Sequence, residues 1–266
     1  MNKTPFHPSQ QNNTTVRYLA TIGMILSTLL LCSCRTSPPA RPDYKVFVII
    51  DDAGNALSQT APFLRLPTPL TISVMPGCKA TRETARQVRS TPNKQLMLHQ
   101  PMEPINPNID PGPGAILMKT PVEDIARILR DNIEEVAGAT GMNNHMGSLV
   151  TQDRERMDAT MEFCKANHLF FIDSFTISTS IAGKVAREHG VPTAQQNIFL
   201  DDDRSAEAIR KQFEKGLQIA RNHGSVVMIG HAWSPETARV IGEMTAPSRN
   251  SGYSFHTLSD HFKSSR

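Results

Sequence analysis

The sequence predicts an α/β protein in which successive strand–helix units surround a parallel sheet or barrel. Short runs rich in β-forming residues alternate with helical patterns from residue 45 onward. Most of these runs begin 25 to 29 residues apart, and the fourth is delayed by a long loop. That spacing is typical of repeated strand–helix units. The chain of 266 residues, 39% of them hydrophobic, is long enough for one large domain.

Eight runs are candidate strands, and the spacers between them carry helix signals. In one spacer Thr120, Pro121 and Glu123 form a helix start, and apolar residues follow at helical spacing. Another spacer, SAEAIRKQFEKGLQIARNHG, is amphipathic and ends on glycine. The candidate strands are residues 45–50, 70–75, 95–99, 140–145, 169–173, 197–201, 225–231 and 253–258.

The N-terminal segment indicates that the protein is exported from the cytoplasm. Residues 18–31 (YLATIGMILSTLLL) form an apolar stretch of signal-peptide length, too short for a comfortable membrane span. The LCSC that follows is similar to the lipobox of bacterial lipoproteins, with Cys34 as the lipidated residue. We therefore expect a signal peptide over residues 1–34, a membrane anchor at Cys34 and a linker over residues 35–43. An ordinary cleaved signal or an uncleaved anchor is the alternative, and all three interpretations place the domain outside the cytoplasm.

The charge of the chain and the distribution of its basic residues argue against nucleic acid as a partner. The formal net charge is only +3, and no run of Lys and Arg is interleaved with aromatic residues, so nucleic acid is not an expected partner.

Two cysteines, Cys78 and Cys164, remain after the predicted leader. They could pair in an oxidising compartment, but two buried free thiols are favoured.

Acidic and imidazole side chains stand where the candidate strands end. One aspartate after a strand is most often a helix N-cap. Six strand ends that share the pattern indicate a site, because the carboxyl ends of parallel strands meet at one edge, where ligands bind. The residues are Asp51, Asp52, His99, His145, Asp173, Asp201, Asp202 and His231.

Such a cluster favours metal-assisted hydrolysis. Two imidazoles and a carboxylate suit zinc or another divalent transition ion. The ion would also explain the adjacent charges of Asp51 and Asp52, because one aspartate coordinates it while the other stays free as a general base beside a water molecule. A histidine on an opposing strand end could then protonate a leaving group.

Several segments resemble the polysaccharide deacetylase family, specifically its divergent bacterial branch. The resemblance covers nearly all of residues 45–262. It implies a single deformed (β/α) barrel of seven to eight mostly parallel strands over residues 44–262, followed by a tail at 263–266. It also implies one divalent metal, usually zinc, and removal of N- or O-acetyl groups from a cell-wall or surface polysaccharide. The segments are VIIDDAG, LHQPMEP, GMNNHMGS, FFIDSFTISTS, FLDD and IGHAWSPET.

The resemblance also implies roles for individual residues. Asp51 matches the family's catalytic base, and Asp52 and His99 match metal ligands. His231 matches the late-strand general acid, and Asp173 matches the carboxylate that orients or tunes it.

The sequence departs from the family at two motifs. Glu103 stands four residues after His99, where a second histidine ligand is expected. Either Glu103 or His145 would complete the metal site. The family's Arg-x-Pro-Tyr motif is absent. Two functions therefore remain open: a metal-dependent deacetylase, or a non-catalytic envelope protein that binds glycan or serves cell-wall assembly.

Overall fold

Residues 43–263 fold into one α/β domain. The computed structural model describes residues 1–2 and 43–263. Nearly all of the predicted signal peptide and linker, including Cys34, lies outside the described residues, as do residues 264–266 of the predicted tail. Within the described ranges, no helix is both long and apolar enough to cross a bilayer.

Nine strands and eight α-helices alternate along these residues. The strands are β1 (Tyr44–Ala53), β2 (Leu70–Val74), β3 (Lys94–Met102), β4 (Gly141–Met146), β5 (Phe170–Asp173), β6 (Thr193–Gln195), β7 (Ile198–Phe199), β8 (Ser225–His231) and β9 (Tyr253–His256). The helices are α1 (Leu57–Leu64), α2 (Thr81–Ser90), α3 (Val122–Glu135), α4 (Arg154–Ala166), α5 (Ala182–His189), α6 (Ala206–His223), α7 (Pro235–Asn250) and α8 (Leu258–Lys263).

The strands form one curled, wholly parallel sheet. Eight of them lie in the order β6-β5-β4-β3-β2-β1-β8-β7, and β9 pairs with β1. One edge of β1 is shared, because β9 pairs with residues 44–47 and β2 pairs from Ile49 onward. The predicted parallel α/β barrel is confirmed in the form of a half-barrel. The short β6 is a strand that the sequence pattern did not predict.

Alternation along the strands separates two hydrophobic clusters. Even-numbered residues of β1, such as Val46, Val48 and Ile50, belong to the larger cluster beneath the helices. Odd-numbered residues of the same strand lie in the inner cluster, on the concave side of the sheet. The inner cluster consists of Phe47, Ile49, Met97, Phe170, Ile172, Val227, Ile229 and Leu258.

The last helix closes the amino-terminal end of the half-barrel. Leu258 of α8 is fully buried in the inner cluster, and Phe262 packs against that cluster. The ring of Phe47 meets the ring of His261 edge-on, with centroids 4.9 Å apart. Apolar side chains fill the concave side here, and the titratable side chains of the candidate site lie at the opposite, carboxyl-terminal rim.

The long connection from β3 to α3 is fixed at its base. The carbonyl oxygen of Gly114 accepts hydrogen bonds from the side-chain amides of Gln100 and Asn132. The guanidinium of Arg156 donates to the carbonyl oxygens of Leu117, Met118 and Thr120. The long loop that the sequence predicted before the fourth strand is therefore held against β3, α3 and α4.

The two cysteines within the domain are not paired. Cys78 is half-buried and Cys164 is buried, and both are free thiols. Burial raises the pKa of Cys164 to about 12. The expectation of free thiols is thus confirmed for both residues, with only Cys164 fully buried.

Candidate metal centre

The fold brings two neighbouring aspartates of β1 to the same rim. Strand alternation carries Asp51 inward, after Phe47 and Ile49 of the inner cluster. The same alternation would send Asp52 outward. Instead Asp52 has a φ of 58°, and the β1–β2 register shifts between Ile50 and Ala53. A bulge of this kind re-aims a side chain, and a non-glycine residue in this region is strained, which is common at functional sites.

The same inward alternation delivers the histidines. His99 follows Met97 of the inner cluster by two residues, and His231 follows Ile229 in the same way. On β4, Asn143 is the register partner of His99, and His145 lies two residues further along the strand. Side chains from four strands therefore converge on one rim.

Three of these side chains form a compact cluster, which we call the metal cluster: Asp52, His99 and His145. Oδ1 of Asp52 lies 3.1 Å from Nε2 of His99 and 2.9 Å from Nδ1 of His145. The two imidazole nitrogens are 3.1 Å apart. Within the described residues this is the one group of histidine, cysteine and acidic side chains close enough to share an ion.

The donor set fits a divalent metal ion. Ligand atoms at about 2.0–2.1 Å from a tetrahedral zinc ion lie about 3.3 Å from one another, within a few tenths of an ångström of the separations found here. His99 also has a partner that fixes its tautomer, since its Nδ1–H donates to Oδ1 of Asn143 at 2.8 Å. The lone pair of Nε2 then points into the metal cluster, as a ligand requires.

Asp52 is held at both carboxylate oxygens. Its Oδ2 accepts a hydrogen bond from Nε1 of Trp233 at 2.9 Å, while Oδ1 faces the two histidines. Burial alone would raise the pKa of Asp52, but the hydrogen bonds and charges of His145 and His99 hold it far below its usual range. Asp52 is therefore an ionised ligand at any pH at which the protein would work.

Asp51 is the carboxylate outside the metal cluster. Only 2% of its surface is exposed. Burial raises its pKa above the usual value, helped by the charge of Asp52 and opposed by His99, His231 and the hydrogen bonds of Asn143. A carboxylate whose pKa is raised by burial binds a proton more readily, which is the property a general base needs.

His231 lies on β8 beside Asp51 of β1, and the two residues are register partners of these parallel strands. Nδ1–H of His231 donates to Oδ1 of Asp201 at 2.7 Å. Burial lowers the pKa of His231, but the hydrogen bond and charge of Asp201, together with the charges of Asp51 and Asp52, outweigh burial and raise it to about 9. His231 is thus protonated at neutral pH and suited to donate a proton.

The expectation that Asp173 orients His231 is wrong. Residues 170 and 172 of β5 belong to the inner cluster, so alternation turns Asp173 away from the rim. Its carboxylate accepts hydrogen bonds from the backbone of Phe175 and from Oγ of Ser180. Asp201 orients His231 instead, and is itself held by Thr237 and by the backbone N–H of His231.

Of the two alternatives for the third ligand, the structure brings His145 into the metal cluster and leaves Glu103 out of it. Oε2 of Glu103 accepts a hydrogen bond from the backbone N–H of Met118 at 2.5 Å. Its backbone carbonyl accepts from Leu149. Glu103 therefore fixes the loop after β3, and the expectation that it binds the metal is not met.

Sequence reasoning missed Asn143, and it did not predict the contact of Trp233 with Asp52. Asn143 contacts both Asp51 and His99, and Trp233 contacts Asp52 while its ring stacks on that of His231, with centroids 4.9 Å apart. The signal for Asn143 was present, because an asparagine at a buried strand position requires polar partners. The position of Trp233 depends on the turn after β8, which the strand pattern does not specify.

The fold and site together define a class: parallel α/β half-barrels with a candidate Asp-His-His metal centre and a flanking carboxylate and imidazole. The model of the divergent polysaccharide deacetylase family matches residues 48–262. The chain belongs to this family.

Proteins of two bacteria are similar to this chain in sequence. An uncharacterized protein of Haemophilus influenzae is 34% identical over 203 residues, which cover 74% of this chain and 69% of the relative. The uncharacterized protein YibQ of Escherichia coli is 31% identical over 200 residues, 75% of this chain and 62% of YibQ. The chain thus spans about two thirds of the length of these relatives.

Solved structures share the fold. The uncharacterized protein ATU2773 of Agrobacterium tumefaciens superposes with a TM-score of 0.78 at 20% identity, covering 84% of this chain and 90% of that protein. The catalytic domain of peptidoglycan N-acetylglucosamine deacetylase from Eubacterium rectale gives a TM-score of 0.50 at 11% identity, covering 83% and 90%. At these identities the likeness concerns the fold alone.

Proposed function

We propose that this protein is a metal-dependent hydrolase that removes acetyl groups from a cell-wall or surface glycan. The observation that carries the proposal is the placement of Asp51 and His231, register partners on β1 and β8, at the rim that holds the metal cluster. A base, an acid and a set of metal ligands at one rim are the parts that hydrolysis of an amide or ester requires.

The chain's own residues supply the proton transfers. A divalent ion in the metal cluster would polarise the acetyl carbonyl and make a water molecule more acidic. Asp51 accepts a proton from the attacking water as the new carbon–oxygen bond forms. His231, protonated at neutral pH because of Asp201, donates a proton to the leaving nitrogen or oxygen of the sugar as its bond to the acetyl carbon breaks. The products are acetate and the free amine or hydroxyl.

The comparisons support the glycan as the substrate class. The family to which the chain belongs is described as divergent polysaccharide deacetylase. One structural neighbour, from Eubacterium rectale, is a deacetylase of N-acetylglucosamine in peptidoglycan. A peptidoglycan-type or related acetylated polysaccharide is therefore the substrate to test first.

The test is release of acetate from acetylated glycans by the zinc-loaded full-length chain. We expect release that stops when a chelator removes the metal and that falls about 10²–10⁴-fold in Asp51→Asn, since a general base contributes that much. Asp51→Asn should still bind zinc, because residue 51 lies outside the metal cluster. Zinc-loaded wild type that releases no acetate from peptidoglycan, chitin oligomers or O-acetylated glycans would contradict the proposal.

The non-catalytic alternative makes the opposite prediction. A glycan-binding or cell-wall assembly protein would bind these polymers with the same affinity in wild type and in Asp51→Asn, without releasing acetate. Asp51 and His231 favour the enzyme, because a binding protein has no use for a buried base paired with a protonated imidazole.

We also propose that the protein acts in the cell envelope, anchored through Cys34. The support is the apolar segment at residues 18–31 and the LCSC that follows it. Cell fractionation of wild type and Cys34→Ala tests this: the wild type should follow the membrane fraction and the variant should not.

A further inference from the structure

The side chain of Asn143 joins the two halves of the candidate site. It is fully buried on β4. Its Oδ1 accepts hydrogen bonds from Nδ1–H of His99 at 2.8 Å and from Oγ of Ser73 at 2.5 Å. Its Nδ2 donates to both oxygens of Asp51, at 2.9 and 3.0 Å, and to Oγ of Ser174 at 3.1 Å. Every donor and acceptor of the amide is therefore in use.

The two ends of this amide are not interchangeable. The carboxylate of Asp51 can only accept, which places the amide nitrogen on its side and the amide oxygen on the side of His99. With the oxygen there, His99 must carry its proton on Nδ1, so that Nε2 presents a lone pair to the metal cluster. The amide nitrogen faces Asp51 and Ser174, and both of these side chains accept hydrogen bonds from it.

We propose that Asn143 is the positioning residue of this site: one amide fixes the metal-binding tautomer of His99 through its oxygen and the orientation of the base Asp51 through its nitrogen. The inference rests on the proposed function for the Asp51 half alone. The His99 half concerns metal binding and stands whether or not the protein is an enzyme.

Two substitutions separate the two ends of the amide. Asn143→Asp keeps an oxygen for His99 and Ser73 but replaces the donor to Asp51 by a second carboxylate oxygen. Asn143→Leu has a similar volume and offers His99 nothing. A matched control is Asn132→Asp, at a buried amide of α3 whose Nδ2 donates to Gln100 and Gly114 and which touches neither Asp51 nor His99.

The measurements are zinc affinity by competition titration and steady-state acetate release, on full-length chains checked for folding by circular dichroism. We expect Asn143→Asp to bind zinc at least as tightly as wild type while kcat falls about 100-fold and KM changes little. We expect Asn143→Leu to bind zinc about 10–100-fold more weakly, the usual cost of removing a partner of a metal-binding histidine. Asn132→Asp should keep both the zinc affinity and the kcat of wild type.

A measurement on the wild type covers the case in which a variant does not fold. In the zinc-loaded protein, ¹⁵N–¹H correlation spectra should show a proton on Nδ1 of His99 that is protected from exchange with water. An unprotonated or freely exchanging Nδ1 would overturn the proposal, as would unchanged zinc affinity in Asn143→Leu or unchanged kcat in Asn143→Asp. If wild type binds zinc but releases no acetate, the proposed function fails, while the zinc titrations and the spectrum still decide the role of Asn143 toward His99.

Discussion

Asp201 holds His231 by two hydrogen bonds, one to the imidazole Nδ1 at 2.7 Å and one to the backbone N–H at 2.9 Å. The carboxylate is fully buried, and Thr237 of α7 donates to it at 2.6 Å. The close approach requires Gly230, because a Cβ there would lie 2.6 Å from Thr237 Cγ2. The imidazole is therefore fixed in one orientation, with Nε2 left to exchange protons with substrate.

Asp201→Asn should shift the pH dependence of turnover. His231 acts in its protonated form, and its pKa of about 9 places the alkaline loss of activity near that value. Without the charge of Asp201 the pKa falls, so the alkaline limb of the kcat profile should move down by about one to two pH units. Asp173→Asn is the comparison: its carboxylate faces Ser180 and Phe175, so the alkaline limb should stay in place. The reverse result would restore Asp173 as the partner of His231.

The third ligand can be tested by comparing His145→Ala with Glu103→Gln. We expect His145→Ala to bind zinc at least 10-fold more weakly, because it removes one of three ligands. Glu103→Gln keeps an oxygen that can accept the hydrogen bond of Met118, and its zinc affinity should match that of wild type. Both affinities follow from competition with a chromogenic chelator. Loss of zinc from Glu103→Gln with retention in His145→Ala would show that Glu103 is the ligand.

Trp233 should matter through its indole N–H. Trp233→Phe removes the donor to Oδ2 of Asp52 while it keeps an aromatic ring beside His231. We expect zinc affinity to fall about 10-fold, as for other partners of metal ligands. Trp233→Leu loses the ring as well, so only this variant should also change the orientation of His231, read from its imidazole resonances. Equal zinc affinity in wild type and Trp233→Phe would exclude the hydrogen bond as a contributor.

Because α8 packs against the concave side of the sheet far from the metal cluster, we expect a substitution there to lower the stability of the fold and to leave the site unchanged. Phe47 is 1% exposed in the inner cluster, and its ring contacts that of His261. Phe47→Ala should lower the free energy of unfolding by about 3–5 kcal/mol. Urea denaturation measures the loss. A change below about 0.5 kcal/mol, the size of an ordinary surface substitution, would mean that the inner cluster is not packed as described.

Much of the candidate site was predicted from the periodicity of the strands. It placed Asp51, His99 and His231 at strand ends, and the structure brings all three to one rim. Asp52 needed more than periodicity, since its inward direction depends on a backbone bulge with φ of 58°. Asp173 was misassigned because the alternation of β5 turns it outward, a parity that can be read only once the inward residues of that strand are known.

The sequence could not show which side chain completes the metal cluster or which carboxylate pairs with His231. Glu103 and His145 are both suitable ligands by chemistry, and only the path of the chain after His99 decides between them. Asp201 belonged to the predicted set of strand-end residues, but its pairing with His231 depends on how β7 lies beside β8. Such pairings follow from strand order, which local patterns do not specify.

The metal centre is tested most directly by crystals of the protein grown with zinc, in which anomalous scattering locates the ion. We predict one zinc ion per chain, bound by Oδ1 of Asp52, Nε2 of His99 and Nδ1 of His145 at about 2.0–2.2 Å. A zinc ion bound by Glu103 instead of His145, or a protein that binds no divalent ion at this rim, would contradict this prediction.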